Sequence, residues 1–360
     1  MKIVLTYDPR WGYTPEGHTP FWTSLDTVEY VAGMLEETGN SVLLVKADDA
    51  FEFRLREIRE KHLRPLVFWL NEFTPTDSGR DIFTTSVVES AGMMHTGPCS
   101  EALSTGLDKE ATKTVFRRLG LPTPESYVVY PGDYGPIYQN GDWDGYIITK
   151  PLLQGCSRGM DEFSVLRADD SDAIRGKAER IHREFEEPAL VERYIGVKNA
   201  REFTVPMLIS HDERIVGLPI MEIDLSHITR AQGKFGFLTR DLKREGHYRK
   251  TPAKFPPETA ARIQSDVRRI IQEIGCRDMT RVDMRGDSTG LYYIEVNVSP
   301  GKNRFSYLTT SAYSLGLNYR EIIAFIPYQA MLRYALKPPK KLEKIVRPVM
   351  TLFDTVQAVA

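Results

Sequence analysis

RVDMRGDSTGLYYIEVNVSPG, residues 281–301, reads as two strands around a polar turn, closed by a tight Ser-Pro-Gly end. Successive strand side chains point to opposite faces, so Arg281 and Asp283 share a face, as do Glu295 and Asn297. A turn over residues 286–290 sets Arg285 opposite Leu291. That register brings Asp283, Glu295 and Asn297 together, with Arg281 at the rim. Two carboxylates and an amide oxygen are hard ligands that suit Mg2+, which keeps waters and binds best with substrate phosphates. A solvated ribbon face shows the same polar alternation. The Ser299-Pro300-Gly301 turn tips the balance, because it brings backbone N–H groups to the same end.

Working upstream, Thr149-Lys150-Pro151 leads into Gln154-Gly155-Cys156-Ser157-Arg158-Gly159-Met160. A lysine at a strand end followed by a glycine-flanked loop supplies charge and backbone donors for a polyphosphate. The order of a Walker A loop is absent. The apolar strand Leu190-Val191-Glu192-Arg193-Tyr194-Ile195 precedes Arg201-Glu202. Taken alone it reads as a structural strand end, with backbone groups that an adenine edge can use and Glu202 within reach of a ribose.

The first 70 residues alternate strand, helix, strand, helix, strand, which predicts a parallel sheet with helices on its faces. Ligands bind at the carboxyl ends of such strands; the loops there are residues 8–22 and 71–79. The texture changes near Gly97-Pro98. Residues 107–118 read as one helix, and strands dominate afterwards. Residues 225–257 lack periodicity and read as a long surface excursion. Residues 258–274 and 319–334 are helical, and the tail reads as an extra helix packed outside.

Composition removes several function classes. The 360 residues carry 47 basic and 49 acidic side chains, a net charge of −2, so no bulk field recruits nucleic acid or an anionic membrane. The basic run at 230–254 then reads as a solvated loop over the site. Cys99, Cys156 and Cys276 lack metal or disulfide spacing and read as reduced thiols, and no apolar run approaches a membrane span. The expectation is a cytoplasmic enzyme.

The order of the pieces resembles the ATP-grasp superfamily, most closely its D-alanine–D-alanine ligase-like branch. The run is Asp108-Lys109 with Lys113, Lys150-Pro151, residues 155–160, residues 192–195, Arg201-Glu202, Arg281 with Asp283, then Glu295, Asn297 and Ser299-Pro300-Gly301. The resemblance covers residues 1–335. It implies an α/β, three-domain ATP-grasp fold: an N-terminal parallel-sheet domain (1–97), a central domain with a lid (98–194), a C-terminal domain with the metal site (195–335) and an extension (336–360). It further implies that Lys109 and Lys150 contact ATP phosphates and that Gly155, Cys156, Ser157 and Gly159 form a mobile lid. Glu192, Arg193 and Ile195 would hold adenine and Glu202 the ribose. Asp283, Glu295 and Asn297 would bind two Mg2+ ions, and Arg281 with the Gly301 backbone would stabilise an oxyanion. Ser306 falls where the family binds the second substrate's carboxylate. Lys243 matches the omega-loop lysine, in competition with Lys234. A homodimer is the expected assembly, with amino acids or small peptides as partners.

The implied reaction is carboxylate–amine ligation through an acyl phosphate. Phosphoryl transfer needs positioning and charge neutralisation more than a nucleophilic side chain. The alternatives are an intramolecular ring-closing enzyme of the same superfamily and a non-catalytic nucleotide-binding module, which would have lost its metal ligands. The family's Gly-Gly-x-Ser-x-Glu element is replaced by YDPRWGY at residues 7–13, its His-Gly-x-x-Gly-Glu element by LNEFT at 70–74, and the small residues after the Pro-Gly turn by Lys302-Asn303-Arg304. Arg10 or Arg304 is suited to a second carboxylate, Asn303 lies beside them, and Glu72, Asp8 or Glu16 is suited to an ammonium. These departures predict a substrate larger or more polar than alanine, with D-alanine–D-alanine ligase proper as the alternative.

Overall fold

The computed structural model describes residues 1–8, 25–62, 64–74, 82–133, 145–155, 157–197, 200–224, 236–238 and 248–357. Strand β1 (Lys2–Tyr7) is central to a parallel sheet with β2 (Ser41–Lys46), β3 (Leu66–Trp69) and β6 (Met94–His95), in the order β2-β1-β3-β6. Strands β4 (Phe73–Thr74) and β5 (Ile82–Phe83) form a separate ribbon beyond β3. A parallel strand covered on both faces needs a continuous apolar run, and β1 has one. Its Ile3 and Leu5 pack with Val28, Val31, Met34 and Leu35 of α1 (Leu25–Glu37). Its Val4 faces the other way, onto Phe51, Leu55 and Ile58 of α2 (Phe51–Lys61) and Val87 and Val88 of α3 (Thr84–Ser90). The strand–helix alternation of the sequence is therefore the observed architecture.

A single helix over 107–118 does not form. Asp108 ends α4 (Ser100–Leu107) in extended conformation and caps α5 (Lys109–Arg118), its Oδ1 accepting from the N–H groups of Glu110 at 2.9 Å and Ala111 at 3.0 Å. An aspartate satisfies orphan N–H donors at a helix start, which explains the break. The second sheet is antiparallel, in the order β7 (Ser126–Val129), β10 (Ala189–Arg193), β8 (Tyr146–Pro151), β9 (Val165–Arg167). Its Val129, Ile147, Ala189 and Val191 bury against Ile174, Ala178 and Ile181 of α6 (Ser171–Phe185). Alternation then sends Lys150 and Glu192 to the opposite face.

The third sheet runs β14 (Lys250–Pro252), β13 (Met221–Ile223), β11 (Arg201–Ile209), β15 (Asp278–Asp287), β16 (Gly290–Asn297), with β12 (Ile215–Gly217) on β11. Helix α7 (Pro257–Ile274) covers one face with Ile263, Val267, Ile270 and Ile271. Helices α8 (Tyr307–Tyr313), α9 (Tyr319–Arg333) and α10 (Lys340–Gln357) follow. Helix α9 is apolar nearly all round, because it lies between α1, α10 and strand β15. It fuses the first and third sheets into one core. The tail is the external helix expected. The expectation of a surface excursion over 225–257 is corrected in its described parts. Lys250–Pro252 is a sheet strand, and Phe237 and Leu238 are buried.

Candidate active site

The β15–β16 hairpin builds the centre. Its register differs from the expected one and keeps its consequence. Gly286 pairs with Leu291 and Arg285 with Tyr292, one residue off the expected pairing. An irregularity between Asp283 and Met284 shifts the ladder once more, so Asp283 faces Glu295 and Arg281 faces Asn297. Two one-residue shifts restore parity. Arg281, Asp283, Glu295 and Asn297 therefore share a face, while Val282 and Val296 point into the core.

Arg281 ion-pairs with Asp283 Oδ2. The Asn297 amide, oriented to satisfy both ends, accepts from Arg281 Nη2 at 2.9 Å and donates to the Ser299 carbonyl at 3.2 Å. Burial lowers the Arg281 guanidinium, but Asp283 and Glu295 outweigh it and raise its pKa. Burial, opposed by Arg281 and reinforced by Glu295, lifts Asp283 to about 6. Asp283 Oδ1 is buried without a hydrogen-bond partner among the described residues. An orphaned carboxylate oxygen facing a second carboxylate and an amide fits a hard divalent cation. Among the described residues no three His, Cys, Asp or Glu side chains are grouped so that they could hold a metal ion; the candidate ligands on this face are the two carboxylates and Asn297.

The second sheet supplies the lysines. Lys150 Nζ lies 2.9 Å from Glu192 Oε1, and Lys113 Nζ lies 2.7 Å from Glu192 Oε2. Burial raises the Glu192 carboxyl, but the two ammonium groups overrule it and hold it at about 2. Lys109 Nζ donates to the carbonyls of Leu152 at 3.1 Å and Gln154 at 2.6 Å; burial pushes it down to about 8 against the field of Glu295. Lys109 thus rests on the backbone that leads into residues 155–159. Glu192's side chain thus sits in a lysine clamp, and Arg193 is engaged by Glu125 at 2.7 Å. Ile195 and Glu202 are joined by Arg285, which donates to the Ile195 carbonyl at 2.7 Å and lies 3.4 Å from Glu202 Oε2.

In the loop over 155–159, Ser157 Oγ donates to the Leu238 carbonyl at 2.9 Å. Gly159 has φ +72°, and a Cβ there would stand 2.5 Å from Pro151 Cγ. Cys156, Arg10, Lys234 and Lys243 lie outside the described residues, as do Glu16 and the loop around it. Beyond the Pro-Gly turn, Ser306 caps α8 and accepts from Thr309 N at 3.2 Å. Asn303 Oδ1 accepts from Phe305 N at 2.9 Å, and exposed Arg304 lies over Tyr30 and Tyr319.

Three lysines had no assigned role. Lys113 recurs four residues after Lys109 on the buried face of α5, a cation where an apolar residue belongs. Lys250 donates to the Phe305 carbonyl at 2.6 Å and lies 4.6 Å from the Tyr307 ring. Lys302 Nζ donates to Ser299 Oγ at 3.0 Å and lies 4.2 Å from the Trp69 ring centre.

The family described as "D-ala D-ala ligase C-terminus" has a sequence model that matches residues 116–326, more than half of the chain. The chain belongs to the D-alanine–D-alanine ligase family. It is an ATP-grasp ligase of the amide-forming type. Among its relatives, this ligase is 30% identical over 258 residues to the D-alanine–D-alanine ligase of Chromohalobacter salexigens, covering 68% of this chain and 72% of the relative. It is 26% identical over 324 residues to that of Zymomonas mobilis, covering 88% and 92%. The crystal structure of the D-alanine–D-alanine ligase from Bacillus anthracis complexed with ATP matches with TM-score 0.68 at 18% identity, over 93% of this chain and 99% of that one, a likeness of fold. No helix among the described residues of this ligase is long and apolar enough to cross a membrane.

Proposed function

We propose that the chain is a D-alanine–D-alanine ligase, joining two D-alanines at the expense of ATP. The observation that carries this is the single hairpin face on which Arg281, Asp283, Glu295 and Asn297 meet, set against Lys109 and the Lys150–Glu192–Lys113 clamp. The names of relatives matched over more than two thirds of their length support D-alanine as substrate. The expectation of a larger or more polar substrate draws no support from them, and the alternative weighed beside it fits better.

In this reading Lys109 and Lys150 hold the ATP phosphates, while Ile195 and Glu202 border the nucleoside. Asp283, Glu295 and Asn297 would hold Mg2+, which supplies charge neutralisation across the phosphates when bound. A carboxylate oxygen of the first D-alanine attacks the γ-phosphorus, the bond to the β-phosphate oxygen breaks, and ADP leaves. The amine of the second D-alanine, after losing a proton, attacks the acyl carbon. Arg281 and the Gly301 N–H stabilise the oxyanion, and phosphate departs as the amide forms. Ser306 receives the second carboxylate. Domain limits at 97, 194 and 335, a homodimer and a cytoplasmic location belong to the same proposal; the free thiols of Cys99 and Cys276 support the last.

The test is ADP release and product mass with ATP, Mg2+ and a panel of D- and L-amino acids. Highest turnover with D-alanine is expected. Turnover confined to larger or charged amino acids would return the reading to an altered substrate.

A further inference from the structure

We infer that Arg285 is a positioning residue for the nucleotide's ribose, holding Glu202 and the backbone at Ile195 in one guanidinium fork. The inference rests on the nucleotide placement in the reading above, where Ile195 and Glu202 border the nucleoside.

Strand β15 sets out the site in order. On its β11 side Arg281 pairs with Pro206, Asp283 with Thr204 and Arg285 with Glu202. Residues two apart on a strand share a face and are spaced about 7 Å along it. Arg285 and Glu202 therefore belong to the face that carries Arg281 and Asp283, while Val282, Met284 and Phe203 enter the core. Along this face the oxyanion arginine comes first, the candidate metal ligand second and Arg285 third. In a complex of acyl group and ATP, the acyl group and the ribose lie at opposite ends of the phosphate chain. With the acyl carbon at Arg281 and the phosphates at Asp283, the ribose lies onward, toward Arg285.

Every nitrogen of the Arg285 fork is engaged, and the side chain is 11% exposed. Nε donates to the Ile195 carbonyl at 2.7 Å, and Nη2 donates to Tyr194 OH at 2.7 Å and to the Gly236 carbonyl. Nη1 lies 3.4 Å from Glu202 Oε2. The guanidinium carbon stands 4.9 Å from the centre of the Tyr194 ring, whose hydroxyl also donates to Gly236 at 3.1 Å. Residues 194–200 lead from β10 of the second sheet to β11 of the third. Arg285 thus ties the exit of one sheet to the start of the other. Asp287, two residues further on, accepts from Gly196 N at 2.9 Å and grips the same connector again.

A planar fork fixes several partners in set directions at once, which an ammonium cannot do. Among the described residues the Glu202 carboxylate has no other hydrogen-bond or ion-pair partner, and its side chain is 20% exposed. Held from one side by a cation, it keeps acceptor capacity for hydroxyl donors, and a ribose offers two on neighbouring carbons. An arginine that merely stiffened the connector would weaken every nucleotide alike. One that aims Glu202 also decides between sugars.

The experiment measures binding of ADP and of its 2′,3′-dideoxy analogue to the full chain by calorimetry, both with Mg2+. The wild type is expected to favour ADP at least tenfold, the worth of hydrogen bonds to a charged group. Arg285→Met is expected to weaken ADP at least tenfold and to shrink that preference below threefold, with the D-alanine KM at saturating ATP within twofold of wild type. Arg285→Lys keeps a charge beside Glu202 without the fork, and should weaken both nucleotides while retaining most of the preference. Glu202→Gln should lose the preference, and adding it to Arg285→Met should remove no more, because the two act as one unit. If Arg285→Met fails to fold, a preference kept in Arg285→Lys and lost in Glu202→Gln supports the inference, and any other pattern overturns it. A wild type that binds neither nucleotide overturns both the inference and the reading it rests on. Wild-type binding of ADP without dipeptide formation from D-alanine overturns the ligase reading and spares the inference. An undiminished preference in folded Arg285→Met overturns the inference alone.

Discussion

Lys113 and Glu192 form an ion pair of 2.7 Å with side chains 0% and 4% exposed, and Lys150 completes a clamp of two cations on one carboxylate. Removing the carboxylate leaves two buried ammonium groups, and such breakage costs about 3–5 kcal/mol. Glu192→Gln is therefore expected to lower the denaturant midpoint sharply, with partial recovery when Lys113→Met is added. An unchanged midpoint would show that the pair contributes nothing to the fold.

The same carboxylate predicts an acid limb. Glu192 is held at about 2 in the folded chain, below its ordinary value of 4.5. A depressed carboxyl contributes stability that is complete above the unfolded pKa and is lost as pH falls toward the folded one. The stability gap between wild type and Glu192→Gln should be constant above pH 5 and narrow between 4.5 and 2. Unfolding free energies measured against pH check this. A gap that widens in acid would contradict the assignment.

Glu295→Gln should spare the fold and remove ligation. Asp283 and Glu295 face each other in the ladder, and losing one oxygen ligand forfeits several kcal/mol of charge stabilisation, or about two to three orders of magnitude in turnover. ADP release beside a circular dichroism spectrum decides it. Near-normal turnover in a folded variant would remove the metal role from this hairpin.

Gly159 tests the proposed lid. Its φ of +72° and a Cβ position 2.5 Å from Pro151 Cγ admit no side chain without movement. The Gly159 carbonyl also accepts from Lys177 Nζ at 3.1 Å. Gly159→Ala should cost about 1–2 kcal/mol for the left-handed backbone alone and raise the ATP KM severalfold. Nucleotide titration of the variant gives the answer, and wild-type affinity would mean that the turn does not govern the lid.

The C-terminal helix should matter for stability and not for chemistry. Phe353 of α10 stacks on Phe325 of α9 at 5.7 Å, and both are 1% exposed or less. Phe353→Ala should cost about 3–5 kcal/mol while leaving KM values unchanged at temperatures where the variant stays folded. A changed KM for ATP would tie the tail to the site.

Much of this was legible in the residues. Alternation on β15 and β16 named the four groups of the central face, because side-chain parity is a local property. It survived a wrong register since the two shifts in the ladder cancel. The β1–α1–β2–α2–β3 rhythm was equally local, and Ile3, Val4 and Leu5 announced a strand covered on both faces. What tertiary structure alone decided is where long side chains end. Lys113 stood in the sequence only as a companion of Asp108-Lys109, and Lys302 only as a departure after the Pro-Gly turn; it took β10 to bring Glu192 to the first and β3 to lay Trp69 under the ammonium of the second. Periodicity is written between neighbours along the chain, whereas the partner of a buried charge comes from whichever distant segment the fold delivers, because an unpaired charge in the interior costs more than the contact that satisfies it.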